Sequence, residues 1–146
     1  MKQAEVFFQD KPKKLTPARR RVLEILLAHG GVLSAYQILD RLKSDGKAAH
    51  PADAYRALDF LIEYKFVHKV GHLSAFVAYT RPHATHTTFF MICRKCDNVA
   101  EAASPDTNDM LEKVASEAGF LVKQQVLEAF GICTDCQDDA GTSANT

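Results

Sequence analysis

The chain lacks any apolar run approaching the ~20 residues needed to cross a bilayer. Its start, "MKQAEVFFQDKPKK", lacks the uninterrupted apolar stretch of a secretory signal. Both absences point to a cytoplasmic protein with no membrane partner. The formal net charge is zero, which by itself argues against a strongly basic nucleic-acid binder. No internal repeat occurs beyond two CxxC pairs. No serine–histidine or paired-carboxylate arrangement supports hydrolysis. An enzyme is therefore not expected, nor a small-molecule substrate.

What is present is an ordinary globular composition, 47% apolar and 25% charged, enough to bury a core in one compact domain or two small ones. The zero net charge hides a division. Residues 1–82 carry fourteen Lys/Arg against eight Asp/Glu, a net of +6; residues 83–146 carry four against ten, a net of −6. Such opposed halves predict an N-terminal part that meets a polyanion and an acidic part with another task.

Thr16-Pro17 opens the first clear helix, with Thr as N-cap and Pro at the first helical position. Val22, Leu23, Leu26 and Leu27 keep one face apolar until Gly30-Gly31 stops it. Ser34 to Gln37 has capping-box spacing ahead of a second helix with inner residues Ile38, Leu39 and Leu42. A third begins near Pro51 and turns Ala54, Leu58, Leu61 and Ile62 inward. "FVHKVGHLSAFVAYT" reads as two short strands around a turn at Gly71. Three helices and a hairpin form the order of a winged helix-turn-helix, whose last helix enters the DNA major groove. Any small three-helix α+β domain shares that order.

"RPHATH", residues 81–86, breaks the pattern and reads as a hinge linker. Beyond it, "TTFFMIC" and "NVAEAA" read as strands and "TNDMLEKVASEAG" as a helix stopped by Gly119. "FLVKQQVLEAFGIC" reads as a longer strand. The expected class is α+β: a winged-helix DNA-binding domain over 1–80, the linker 81–86, an α/β domain over 87–137, and a disordered polar tail over 138–146.

Cys93, Cys96, Cys133 and Cys136 use every cysteine in the chain. In a reducing cytoplasm two CxxC pairs favour metal thiolate over disulfides. Two such turns supply a tetrahedral S4 shell for structural zinc, ahead of buried free thiols or a thioredoxin-like dithiol. The 36-residue spacer has room for a strand–helix–strand. Six histidines are crowded unevenly. His29 suits the end of its helix and His50 a cap before Pro51, whereas His68, His72, His83 and His86 fall on the hairpin or the linker. Glu101 follows five residues after Cys96. Imidazole with carboxylate suits zinc, iron or manganese equally.

"LTPARRRVLEILL", "AYRALDFLIEYKFVHKV", "THTTFFMICRKC" and "LEAFGIC" followed by "TDC" resemble the Fur family of metal-dependent repressors, in particular its zinc uptake branch. The resemblance covers about residues 14–136. It implies a winged helix hinged to a C-terminal α/β dimerisation domain, and a homodimer that binds palindromic double-stranded operator DNA when loaded with metal. It also implies a structural zinc on the four cysteines and a regulatory zinc on His68, His86 and Glu101. Relatives commonly supply a cysteine on the second wing strand, where Ala78 stands here. His83, His72 or water is left as the fourth ligand, and His83 is the choice because it lies three residues from His86. The implied function is a zinc-responsive repressor of zinc uptake genes. An iron, manganese or peroxide sensor on the same scaffold is the alternative.

The "AYRAL" segment falls on the third of these helices, the recognition helix of the family. Arg56 is the candidate for base-edge contact, since bidentate Arg–guanine is the commonest specific readout. The resemblance adds Tyr36 as a DNA contact. Arg19, Arg20 and Lys14 are the candidates for phosphate contact; a solvated basic face is the plainer reading of them.

Overall fold

A computed structural model of the chain describes residues 1–46, 50–71, 74–82, 87–123 and 125–139. The chain divides into two compact units, Met1–His83 and Ala84–Thr146.

The first unit runs α1 (Lys2–Phe8), α2 (Pro17–His29), β1 (Leu33–Ser34), α3 (Ala35–Ser44), α4 (Pro51–Glu63), β2 (Val67–Lys69) and β3 (Ala75–Ala78). Local chemistry sets the helix ends. The Thr16 hydroxyl accepts the N–H of Arg19, and Gly30 closes α2 in the left-handed region at φ +71°. Ser34 and Gln37 form the reciprocal capping box, with the Gln37 N–H donating to Ser34 Oγ at 3.1 Å and the Ser34 N–H to Gln37 Oε1 at 2.9 Å. The three strands pair antiparallel in the order β1-β3-β2. Leu23, Leu26, Ile38, Leu58, Leu61 and Val67 lie fully buried between helices and sheet. This is the expected winged-helix arrangement.

Helix α1 is an addition to the sequence reading. Its start has no side-chain cap, so local signals do not announce it. Burial holds it instead: Phe8 is 2% exposed, with its ring 5.1 Å from Phe60 and from Tyr64 and 5.5 Å from Phe66. Strand β1, two residues long, is also unannounced and exists through its pairing with β3.

The second unit runs β4 (Thr88–Cys93), β5 (Val99–Ala103), α5 (Pro105–Glu117), β6 (Val126–Gly131) and α6 (Thr134–Asp139). Strands β4 and β5 form an antiparallel hairpin, and β6 adds parallel to β4 on its other side. The parallel pair needs a long crossover, which α5 supplies. Two expectations change here. The strand expected from Phe120 begins only at Val126, where pairing with Thr88 starts; Phe120 and Leu121 are 73% and 76% exposed. The tail expected to be disordered from residue 138 is still helical there, because α6 continues through Asp139. The Gln137 side chain fastens that helix by donating to the Ile132 carbonyl at 2.8 Å. Residues 140–146 lie outside the described residues. No described helix is long and apolar enough to cross a membrane.

Candidate functional site

The four cysteines converge because of strand register. Cys93 ends β4 opposite Gly131, the last residue of β6. The chain leaving β6 therefore delivers Cys133 beside Cys93 within two residues. The Arg94 N–H donates to the Gly131 carbonyl at 2.8 Å, holding the two exits together. After Cys93 the chain folds back through a tight turn, with the Asp97 N–H donating to the Cys93 carbonyl at 3.0 Å. Asp97 takes φ +62° there, a conformation that Asp tolerates better than most residues. Cys136 lies on the first turn of α6, its N–H donating to the Cys133 carbonyl at 3.1 Å.

All four Sγ atoms lie within 4.8 Å of one another, and those of Cys96 and Cys133 are 3.7 Å apart. A tetrahedral zinc with Zn–S of about 2.3 Å has S–S edges of roughly 3.8 Å. The donor set and its spacing thus fit zinc. Cys93 and Cys136 are buried, Cys133 half-buried and Cys96 exposed. The environment divides the thiols electrostatically. The N–H groups of Cys133 and Cys96 aimed at its sulfur lower the Cys93 pKa to about 6. The neighbouring Cys133 sulfur, then burial, raise that of Cys136 to about 12. At neutral pH one thiolate already stands ready, while Cys136, and Cys96, whose pKa is also raised, must give up their protons on metal loading.

The other expected ligands are only partly within the described residues. His68 lies on β2, half-buried, opposite Val77 of β3, with its ring edge-on to Tyr79 at 6.2 Å. Glu101 lies on β5, half-buried, opposite Phe90. His72, His83 and His86 lie outside the described residues. The strand pairing clarifies Ala78. It stands opposite Val67, and both belong to the helix-packed core. His68 and Val77 point to the other face by strand alternation. A side chain at position 78 therefore faces away from His68, and Tyr79 is the β3-side neighbour of its ring.

On the first unit's surface, Tyr36 at the start of α3 is 77% exposed. Arg56 on α4 is 81% exposed and lies 3.9 Å from an Asp53 carboxylate oxygen. Exposed on the same helix are Asp53 and Tyr55, which sequence reasoning did not single out as contacts. The signal for both was available: they flank Arg56 at outward positions of an amphipathic helix. The three basic candidates for phosphate contact have partners within the chain. Lys14 Nζ donates to the Gln9 carbonyl at 2.9 Å. Arg19 donates to the Lys14 carbonyl at 2.7 Å and stacks over the Phe60 ring at 3.7 Å. Arg20 pairs with Glu5, and its guanidinium holds the Glu5 carboxyl below the usual range. These contacts fasten α1 and the 9–16 segment to α2.

The sequence matches the ferric uptake regulator family over residues 11–130. It is 37% identical over 135 residues to the zinc uptake regulation protein of Escherichia coli, covering 92% of this chain and 79% of that protein. It is 25% identical over 130 residues to the ferric uptake regulation protein of Neisseria meningitidis, covering 88% of this chain and 90% of that one. The solved structure of a zinc uptake regulator complexed with zinc and DNA matches with a TM-score of 0.86 at 35% identity, over 97% of this chain and 95% of that chain. On the family match, which spans both units, and the 37% identity, this chain belongs to the ferric uptake regulator family.

Proposed function

We propose that the chain is a cytoplasmic, non-enzymatic, zinc-responsive repressor of zinc uptake genes. It binds palindromic operators as a zinc-loaded homodimer. The observation that carries this reading is the 0.86 match to a zinc uptake regulator solved with zinc and DNA. Identity of 37% to a zinc regulator against 25% to an iron regulator favours zinc as the effector.

In this reading residues 1–80 bind DNA, 81–86 are the hinge and 87–137 dimerise. Cys93, Cys96, Cys133 and Cys136 hold a structural zinc, and a closed thiolate shell leaves no position for a substrate. His68, His86 and Glu101, with His83 as fourth ligand, hold the regulatory zinc. These residues come from the wing, the hinge and the second domain. Drawn to one ion, they would restrict the hinge and raise the population whose recognition helices match the half-site spacing. The shift equals the difference in zinc affinity between DNA-competent and other conformations, and DNA tightens zinc binding by the same factor. Arg56 and Tyr36 read the operator, while Arg19, Arg20 and Lys14 meet phosphates, Arg20 on leaving Glu5.

Support for a homodimer comes from α5, which buries none of its residues fully and exposes Met110 and Val114 at 57% and 58%. Apolar surface of that kind on a small domain calls for a partner surface.

The test is binding of metal-stripped protein, refilled at the cysteine site only, to an operator selected from random duplexes. Free zinc, iron(II) and manganese are buffered separately. Binding restored at far lower free zinc than free iron or manganese supports the reading. Restoration by iron or manganese instead assigns the chain to the iron-, manganese- or peroxide-responsive branch. The regulatory set has no thiolate with which to favour zinc through softness.

A further inference from the structure

Helix α4 turns Ala54, Ala57, Leu58, Phe60 and Leu61 into the core and leaves Asp53, Tyr55 and Arg56 outside. Asp53 and Arg56 are three positions apart, so their side chains are neighbours on one face. Arg56 Nη1 lies 3.9 Å from Asp53 Oδ1, with the two side chains 81% and 56% exposed. That separation is beyond hydrogen-bond length, and so exposed a pair adds little to stability. Pairing with Arg56 therefore does not account for the carboxylate. On a surface that approaches DNA its charge is unfavourable, since it repels phosphate and an ionised Asp can only accept. In the major groove an acceptor-only group meets its partners on the exocyclic amines of the bases, and cytosine N4 is the usual donor to Asp.

We propose that Asp53 is a specificity-determining residue of operator recognition, accepting from the N4 amine of a cytosine next to the base that Arg56 reads. The inference rests on the DNA-binding reading above. Asp53 also discourages Arg56 from settling on the phosphate backbone, because a phosphate close to Arg56 would lie close to the Asp53 carboxylate as well. Donor and acceptor three residues apart thus form a two-residue reading head. A purely structural role also exists for Asp53: a negative charge in the first turn of α4 complements the helix dipole. The test separates the two.

Zinc-loaded full-length protein is challenged with duplexes randomised over roughly 20 base pairs, about two helical turns, and the bound sequences are read. Wild type is compared with Asp53→Asn and Asp53→Ser. Asn pairs with adenine through N6 and N7, so the Asn variant is expected to exchange cytosine for adenine at one position of each half-site. The Ser variant, which suits a helix start, is expected to lose about ten-fold of the discrimination at that position without adopting a new base. The remainder of the motif stays as in wild type. An unchanged motif in variants that keep wild-type zinc content overturns the proposal, and a lowered Tm with an unchanged motif assigns Asp53 to the helix start alone. Enrichment of no sequence by wild type removes the DNA-binding reading itself, an outcome distinct from the loss of Asp53 alone.

Discussion

Cys96 Sγ and Cys133 Sγ lie 3.7 Å apart although thirty-seven positions separate them in the chain. The closeness follows from β4 and β6 running parallel with Cys93 opposite Gly131, so both strands end at the same edge of the sheet. Each end then carries one CxxC turn. The sulfur cluster thus ties the β4–β5 hairpin to the strand and short helix that follow α5.

Replacing one of these thiols should therefore loosen the whole second unit. Cys133→Ser is expected to lose one zinc per chain and to lower Tm by roughly 10 °C or more, because metal binding and folding are coupled in small metal-stapled units. Metal analysis with thermal unfolding checks this. A variant that keeps its full zinc content would remove Cys133 from the shell.

Zinc affinity at the cysteine site should rise with pH. Cys93, held at about 6, is already a thiolate at neutral pH, whereas Cys136, held at about 12, must give up its proton to ligate. Loading therefore releases protons, and acid opposes it. Below about pH 6 Cys93 too must be deprotonated, so the dependence should steepen. Competition against a chromophoric chelator across this range reads the slope. An affinity independent of pH contradicts the assignment.

His68→Ala should spare the cysteine-held zinc and abolish zinc-dependent operator binding, leaving one zinc per chain fewer than wild type. His83→Ala tests the fourth ligand in the same assay. If His83→Ala binds zinc and DNA as wild type does, His83 is not a ligand.

Arg56→Ala is expected to cost about 1–3 kcal/mol on the operator and to narrow the gap to random DNA. Glu5→Gln releases Arg20 from its partner. It should strengthen binding to all duplexes and steepen the salt slope by up to about one unit. Equal loss on operator and random DNA for Arg56→Ala would rule out a base contact.

Phe8→Ala should destabilise the first unit by about 3–5 kcal/mol, the cost of truncating a buried aromatic ring. Its ring packs on Phe60, Tyr64 and Phe66. A loss below about 1 kcal/mol in denaturant unfolding would mean that α1 is an appendage rather than part of the core.

How much of this was legible in the sequence depended on how local each cause is. Thr16, Pro17, Gly30 and the Ser34–Gln37 pair fixed their helix ends through contacts within a few residues, so the sequence alone determined α2 and α3. The two short apolar runs on either side of Gly71 and the two CxxC pairs likewise announced the wing and a thiolate centre. Tertiary structure decided what depends on distant partners. Helix α1 exists because Phe8 finds an aromatic cluster some fifty residues away. Strand β6 starts at Val126 because Thr88 is there to pair with it, and not at Phe120, where the apolar run begins. Position 78 looked like a missing ligand until the β2–β3 register placed Ala78 opposite Val67 in the core, with His68 on the other face. Spacing along the chain names the residue types a metal needs; only the register of paired strands decides which of them share a face.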